Sequence, residues 1–157
     1  MDCWGDSFLL LDHCTITGNT TERDGGGVFC DMSFPTLTDC VIAENTAQGG
    51  GGVACSLASC ILINCTILNN RASVTGGGGI LCEDSSATLT NCLIARNAAP
   101  QAGGVYCRYE SSLEMTNCTV VDNAGGGISL AGRPGRVSNC ILWNPGTEIP
   151  SYDLELI

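Results

Sequence analysis

Thr88-Leu89-Thr90-Asn91-Cys92-Leu93-Ile94-Ala95-Arg96-Asn97 decides the fold, because the chain carries this stretch six times in altered form. Its cysteine recurs as Cys14, Cys40, Cys65, Cys92, Cys118 and Cys140, at steps of 26, 25, 27, 26 and 22 residues. Three residues ahead of each stands Leu11, Leu37, Leu62, Leu89, Met115 or Val137. Two residues behind stands Ile16, Ile42, Ile67, Ile94, Val120 or Leu142. Asn19, Asn45, Asn70, Asn97 and Asn123 follow five places behind the first five cysteines, and Asn144 comes one place early in the last copy. Self-similarity at a period near 25 residues is the mark of a stacked repeat.

Outward from that stretch lies a second block. It reads Gly-Gly-Gly-Val-Phe-Cys at 25–30, Gly-Gly-Val-Ala-Cys at 51–55, Gly-Gly-Ile-Leu-Cys at 78–82, Gly-Gly-Val-Tyr-Cys at 103–107 and Gly-Gly-Ile-Ser-Leu at 126–130. The second ladder is therefore Cys3, Cys30, Cys55, Cys82, Cys107, Leu130, and eleven of the twelve cysteines fall in one ladder or the other.

A helical repeat needs ten or more residues of 3.6-residue period. Here the apolar runs are short, alternate with period two and are broken by Gly clusters. The pattern predicts an all-β chain: a right-handed single-stranded parallel β-helix, a solenoid of about six coils with three short parallel sheets. The first strand of a coil points Val28, Val53, Ile80, Val105 and Ile128 inward with the cysteine two places on. The second points in such pairs as Leu9/Leu11, Cys60/Leu62 and Leu113/Met115, which gives Cys60 an ordinary core place. The third points in the main cysteine and the aliphatic after it. Between the second and third strands the inward parity changes across a single residue: His13, Asp39, Asn64, Asn91, Asn117 or Asn139. That residue must turn the chain, and Asn tolerates the left-handed region better than other non-Gly residues. Stacked amides there are expected to bond from coil to coil, and the second Asn series is expected to do similar work at the next corner. Residues 1–146 read as the repeat array. Residues 147–157 break the repeat and read as a capping strand or tail, with Tyr152, Leu154 and Leu156 alternating.

Composition narrows the function. Sixteen acids face six Arg and no Lys, a net charge of −10, which repels phosphate backbones; nucleic acid is not an expected partner. No apolar run reaches the length of a membrane-spanning helix, so membrane insertion is not expected. The first residues, Met1-Asp2-Cys3-Trp4, lack the basic and apolar regions of a signal peptide.

The repeats resemble those of the polymorphic outer-membrane proteins, whose signature joins Gly-Gly-Ala-Ile to Phe-x-x-Asn. Here the elements are Gly-Gly-Gly-Val or Gly-Gly-Gly-Ile, and Ile16-x-x-Asn19, Ile42-x-x-Asn45, Ile67-x-x-Asn70, Ile94-x-x-Asn97 and Val120-x-x-Asn123, with Ile or Val where that family has Phe. More broadly the chain is similar to the pectate-lyase-like superfamily over nearly its whole length. The resemblance implies the fold, and an extracellular or cell-surface location. It leaves activity open, since this scaffold carries lyases, hydrolases, adhesins and structural arrays.

No catalytic residue is expected. Lyases of the superfamily hold Ca²⁺ on outer acids beside an Arg or Lys base, yet Asp12 has no acid aligned with it, only Thr38, Ile63, Thr90 and Thr116. The sole histidine, His13, reads as a structural corner residue. Cys55, Cys60 and Cys65 lack Cys-x-x-Cys spacing, so no metal and no cofactor is expected; the cysteines read as reduced core thiols behaving as small hydrophobes, with some bridges as the alternative if the protein is exported. Thr36-Leu-Thr38 and Thr88-Leu-Thr90 do not form a uniform Thr face, being interrupted by Ile61-Leu-Ile63. The sequons at Asn19, Asn64 and Asn117 fall in ladders. What remains is the outer face of the third strand: Val41, Ala43, Leu68, Leu93, Ala95, Val121, Ile141 and Trp143 form an apolar stripe. The expected function is a non-catalytic structural or binding solenoid that forms a homo-oligomer, a dimer, through this side face or an open end. A glycan-binding or carbohydrate-active β-helix is the alternative.

Overall fold

Period-two alternation makes each coil a set of short strands, and every strand pairs in parallel with its counterpart one repeat away. The computed structural model describes residues 1–144 and, as backbone, 154–156. Among these residues there is no helix. The first sheet stacks six strands: Asp2–Trp4, Val28–Asp31, Val53–Ser56, Ile80–Glu83, Val105–Arg108 and Ile128–Ala131. The second begins with Leu10–Asp12, Thr36–Thr38 and Ser59–Ile63 and continues with Ser86–Thr90, Ser112–Thr116 and Gly135–Ser138. The third stacks Thr15–Thr17, Val41–Ala43, Thr66–Leu68, Leu93–Ala95, Thr119–Val121 and Ile141–Trp143. Thr46–Ala47 and Arg71–Ala72 add a small fourth pair. Of the segment 147–157, Leu154–Leu156 runs parallel to Gly135–Val137 as a seventh strand of the second sheet; Tyr152 lies outside the described residues.

Register puts like on like. Cys3, Cys30, Cys55, Cys82, Cys107 and Leu130 are successive partners in the first sheet. Leu11, Leu37, Leu62, Leu89, Met115 and Val137 follow one another in the second. Ile16, Ile42, Ile67, Ile94, Val120 and Leu142 do so in the third. These columns fill the interior with apolar side chains, and the residues at the two ends, Leu9, Cys14, Ile16, Cys140 and Leu142, are only partly covered.

Each corner between sheets is turned by one left-handed residue. The corner from second to third sheet uses His13, Asp39, Asn64, Asn91, Asn117 and Asn139, all with φ between 50° and 55°. Their amides bond in series outside the core: Asn91 Nδ2 donates to Asn64 Oδ1 and Asn117 Nδ2 to Asn91 Oδ1, both at 3.1 Å. The corner after the third sheet corrects the sequence reading. Its left-handed residues are Gly18, Glu44, Asn69, Arg96 and Asp122, each one place before the Asn of the second series. The Asn itself is buried from Asn45 onward and links coils. Asn97 Oδ1 accepts from the backbone N–H (2.9 Å) and the amide (3.0 Å) of Asn70, while Asn97 Nδ2 donates to Ile67 O at 2.9 Å. The corner from first to second sheet has no signature residue: Met32, Leu57, Asp84 and Tyr109 take the left-handed turn there. Buried Ser85 and Ser111 then accept from Ala58 N–H and Ser85 N–H.

The Gly-Gly dipeptides sit where the buried Asn column leaves no room for a side chain. A Cβ on Gly52 would lie 2.6 Å from Gly79 O and 3.1 Å from Asn70 Nδ2. One pair of cysteines departs from the reading. Cys55 and Cys60 form a disulfide, and Cys60 holds its core place as a bridged rather than a reduced residue. Stacked cysteines in one rotamer do not reach each other, but this bond joins the first and second sheets within one coil, across the Leu57 corner. The other ten cysteines are free thiols.

Candidate functional site

Among the described residues the first coil has a neighbour on one side only. Asp2–Trp4, Leu10–Asp12 and Thr15–Thr17 are the terminal strands of the three sheets, each with one neighbour, so alternate peptide groups there face away from any partner strand. The Asn column differs at this coil, where Asn19 is exposed. Each later Asn oxygen accepts two bonds from the coil before it, whereas Asn19 donates to Asn45 Oδ1 (3.0 and 2.9 Å) and its own Oδ1 accepts nothing among the described residues. Around this end Met1, Trp4, Phe8 and Leu10 are exposed, Phe8 to 83%. Phe8 stacks on Phe34 with ring centroids 5.3 Å apart.

The side stripe is broken. Val41, Ile141 and Trp143 are exposed, Trp143 to 69%; Ala43, Leu68, Leu93 and Val121 are half-buried and Ala95 is only 5% exposed. Its most accessible part is the C-terminal pair Ile141 and Trp143.

Sequence reasoning missed a cleft of about 320 Å³ between the loop 21–24 and the outer face of the first sheet. Trp4 and Phe29 form one wall, their ring centroids 5.2 Å apart and planes tilted by 59°; Asp2, Glu22, Arg23 and Asp24 surround them. Burial pushes the Asp24 carboxyl above its ordinary range, opposed by the Arg108 charge and the Gly49 N–H. The loops after the Asn column fold back over this face, so that the outward Ala54 and Leu81 are buried. No periodic signal in the sequence announces that covering.

Asp12 does have an acidic neighbour, supplied by a corner rather than by its own strand position. His13 Nδ1 lies 2.9 Å from Asp12 Oδ1, and its Nε2 lies 3.8 Å from Asp39 Oδ2. The three ligand atoms fall within 4.8 Å of one another, a spread that a divalent cation could bridge, but all three groups are exposed.

A family model described as the right-handed β-helix region matches residues 2–146. The chain belongs to the right-handed β-helix family. No curated protein and no solved structure matches it. Membership agrees with the coil geometry of this β-helix and leaves its activity to be argued from its surfaces.

Proposed function

We propose that this β-helix is a non-catalytic structural and binding solenoid, of the bacterial surface or secreted type its repeats resemble, that dimerises through its N-terminal end. The first coil supports this reading: three strands that each have one neighbour within this chain, and the exposed side chains of Trp4, Phe8 and Leu10. A second copy supplies what is lacking there, namely edge N–H donors and apolar surface, and a two-fold arrangement closes the contact on itself. The net charge of −10 opposes association, so added salt strengthens it. Sedimentation over a wide concentration range tests this: a dimer is expected for the parent chain and a monomer for Phe8→Glu/Leu10→Lys. A parent chain that stays monomeric at high concentration and high salt overturns it.

The cleft favours a second reading, a glycan-binding surface. An aromatic wall with carboxylates and one guanidinium at its edge suits a sugar, whose C–H face stacks on the rings while its hydroxyls bond the rim. Trp4 fluorescence in a Trp143→Phe background reports binding. No response to any glycan of an array would remove this reading without touching the first.

A further inference from the structure

On the outer face of the first two coils, acids and aromatic rings alternate. Period two places Asp2 and Trp4 on one face of their strand, and Phe29 and Asp31 on the same face of the next. Register then sets Asp2 opposite Phe29 and Trp4 opposite Asp31, so each ring has an acidic residue directly across the strand pair. The two rings meet on the diagonal, with centroids 5.2 Å apart and planes tilted by 59°, and make a corner rather than a flat stack. The loop 21–24 brings Glu22 and Asp24 to the same cleft, and Arg23 is the one guanidinium in its lining.

The same column treats its acids differently further along. Trp4, Asp31, Ser56, Glu83 and Arg108 are successive partners in the first sheet. Glu83 is met there by Arg108 in a half-buried ion pair. Asp31 instead has Trp4 on one side and Ser56 on the other, and among the described residues none of Asp2, Glu22 and Asp31 is in an ion pair. The outward positions of the third and fourth coils, Ala54 and Leu81, are buried, whereas Trp4 is 51% exposed. The accessible part of this face is therefore the part where acids and rings alternate without a cation of their own. Carboxylates accept hydrogen bonds and donate none, so a ligand must bring the donors.

We infer that the cleft is a binding site for an organic ammonium group, seated in the corner of Trp4 and Phe29 and faced by the carboxylates of Asp2, Glu22 and Asp24. Such a group suits both halves of the lining at once: the ring quadrupole attracts a cation, and the carboxylates neutralise it. A neutral sugar uses the rings and leaves the acid excess without a counter-charge, and an anionic one is repelled by that excess. The inference rests on the cleft being a ligand surface, as in the glycan reading above, and not on the ligand being a sugar. Two sources carry this chemistry, the free amino group of a glucosamine unit and the quaternary head of choline.

Trp4 fluorescence in the Trp143→Phe background, at one fixed protein concentration, follows titration with two matched pairs of probes. Choline is set against the neutral alcohol that has carbon in place of its nitrogen. The glucosamine trimer is set against cellotriose, which has the same linkage and a hydroxyl in place of each ammonium. In at least one pair the charged member is expected to bind about tenfold tighter than its neutral twin, and the pair that responds identifies the source. Glu22→Gln/Asp24→Asn, which keeps the size of both side chains, should remove most of that preference; circular dichroism checks that the variant folds. Equal affinity within both pairs overturns the inference and leaves the glycan reading standing wherever the trimers bind. No response to any of the four probes overturns it as well, the glycan reading then being decided by the array alone. A charge preference undiminished in the folded double variant overturns the role given to these carboxylates.

Discussion

Asn97 and Asn91 are the same residue type six places apart, and their environments assign them different weights. Asn97 is buried and uses its amide to satisfy Ile67 O, Asn123 Oδ1 and the Asn70 backbone N–H at once. Truncation to Ala would orphan several buried polar groups at about 1–3 kcal/mol each, so Asn97→Ala is expected to cost about 3 kcal/mol or more in urea unfolding. Asn91 is exposed, its bonds compete with water, and Asn91→Ala should cost less than about 1 kcal/mol. The thiols separate in the same way. Burial, and the neighbouring Cys3, push the Cys30 thiol up to about 12. An unfolded chain releases that proton near 9 and the folded chain does not, so the unfolded state binds fewer protons between these values. Stability attributable to Cys30 is therefore intact below pH 9 and lost as pH rises from about 9 to about 12. Cys30→Ala should flatten the alkaline limb of a thermal-unfolding profile; an unchanged limb would count against the burial argument.

The elements divide into those the sequence announces and those it hides. Strand positions and the corner at Asn64, Asn91, Asn117 and Asn139 were legible, because a period-two pattern that changes parity across one residue can do so only by turning there. The buried Asn column was legible as a column but not as a neighbour of the turn, since the left-handed residue before it varies from Gly18 to Glu44 to Arg96. The corner from first to second sheet was invisible for the same reason: Met32, Leu57, Asp84 and Tyr109 share no chemistry. The disulfide was missed because its partners are near only once that corner has been made, and the cleft because it depends on loops with no repeat. These corners bear on stability. Leu57 holds φ at 49° with its side chain exposed. A left-handed L-residue costs about 1–2 kcal/mol and Gly gives back part of that in backbone entropy. Leu57→Gly is therefore expected to raise stability by up to about 1 kcal/mol. Gly52→Ala should act oppositely, losing about 1–3 kcal/mol as its Cβ is driven onto Gly79 O and the Asn column. Thermal denaturation of the two variants side by side reads both signs.

Taken as a whole molecule, the solenoid has no strand pairing that skips a coil among the described residues: each strand bonds only its neighbours in the stack. Stability is then close to a sum of coil terms and nearest-neighbour terms, and the ends must be the weakest part. The first coil shows this directly. Ile16 and Cys14 are only partly covered, while their counterparts Ile42, Ile67, Cys40 and Cys65 are fully buried. Native-state hydrogen exchange should therefore give a gradient along the array, with amides of Val53–Ser56 and Ile80–Glu83 opening only at the global unfolding free energy and those of Asp2–Trp4 and Leu10–Asp12 opening well below it. The same experiment links stability to the proposed dimer. If a second copy seats on the N-terminal end, protection of the first coil rises with protein concentration while that of the middle coils stays level. A first coil as protected as the middle at every concentration would mean that the stack is held by something other than neighbour-to-neighbour pairing.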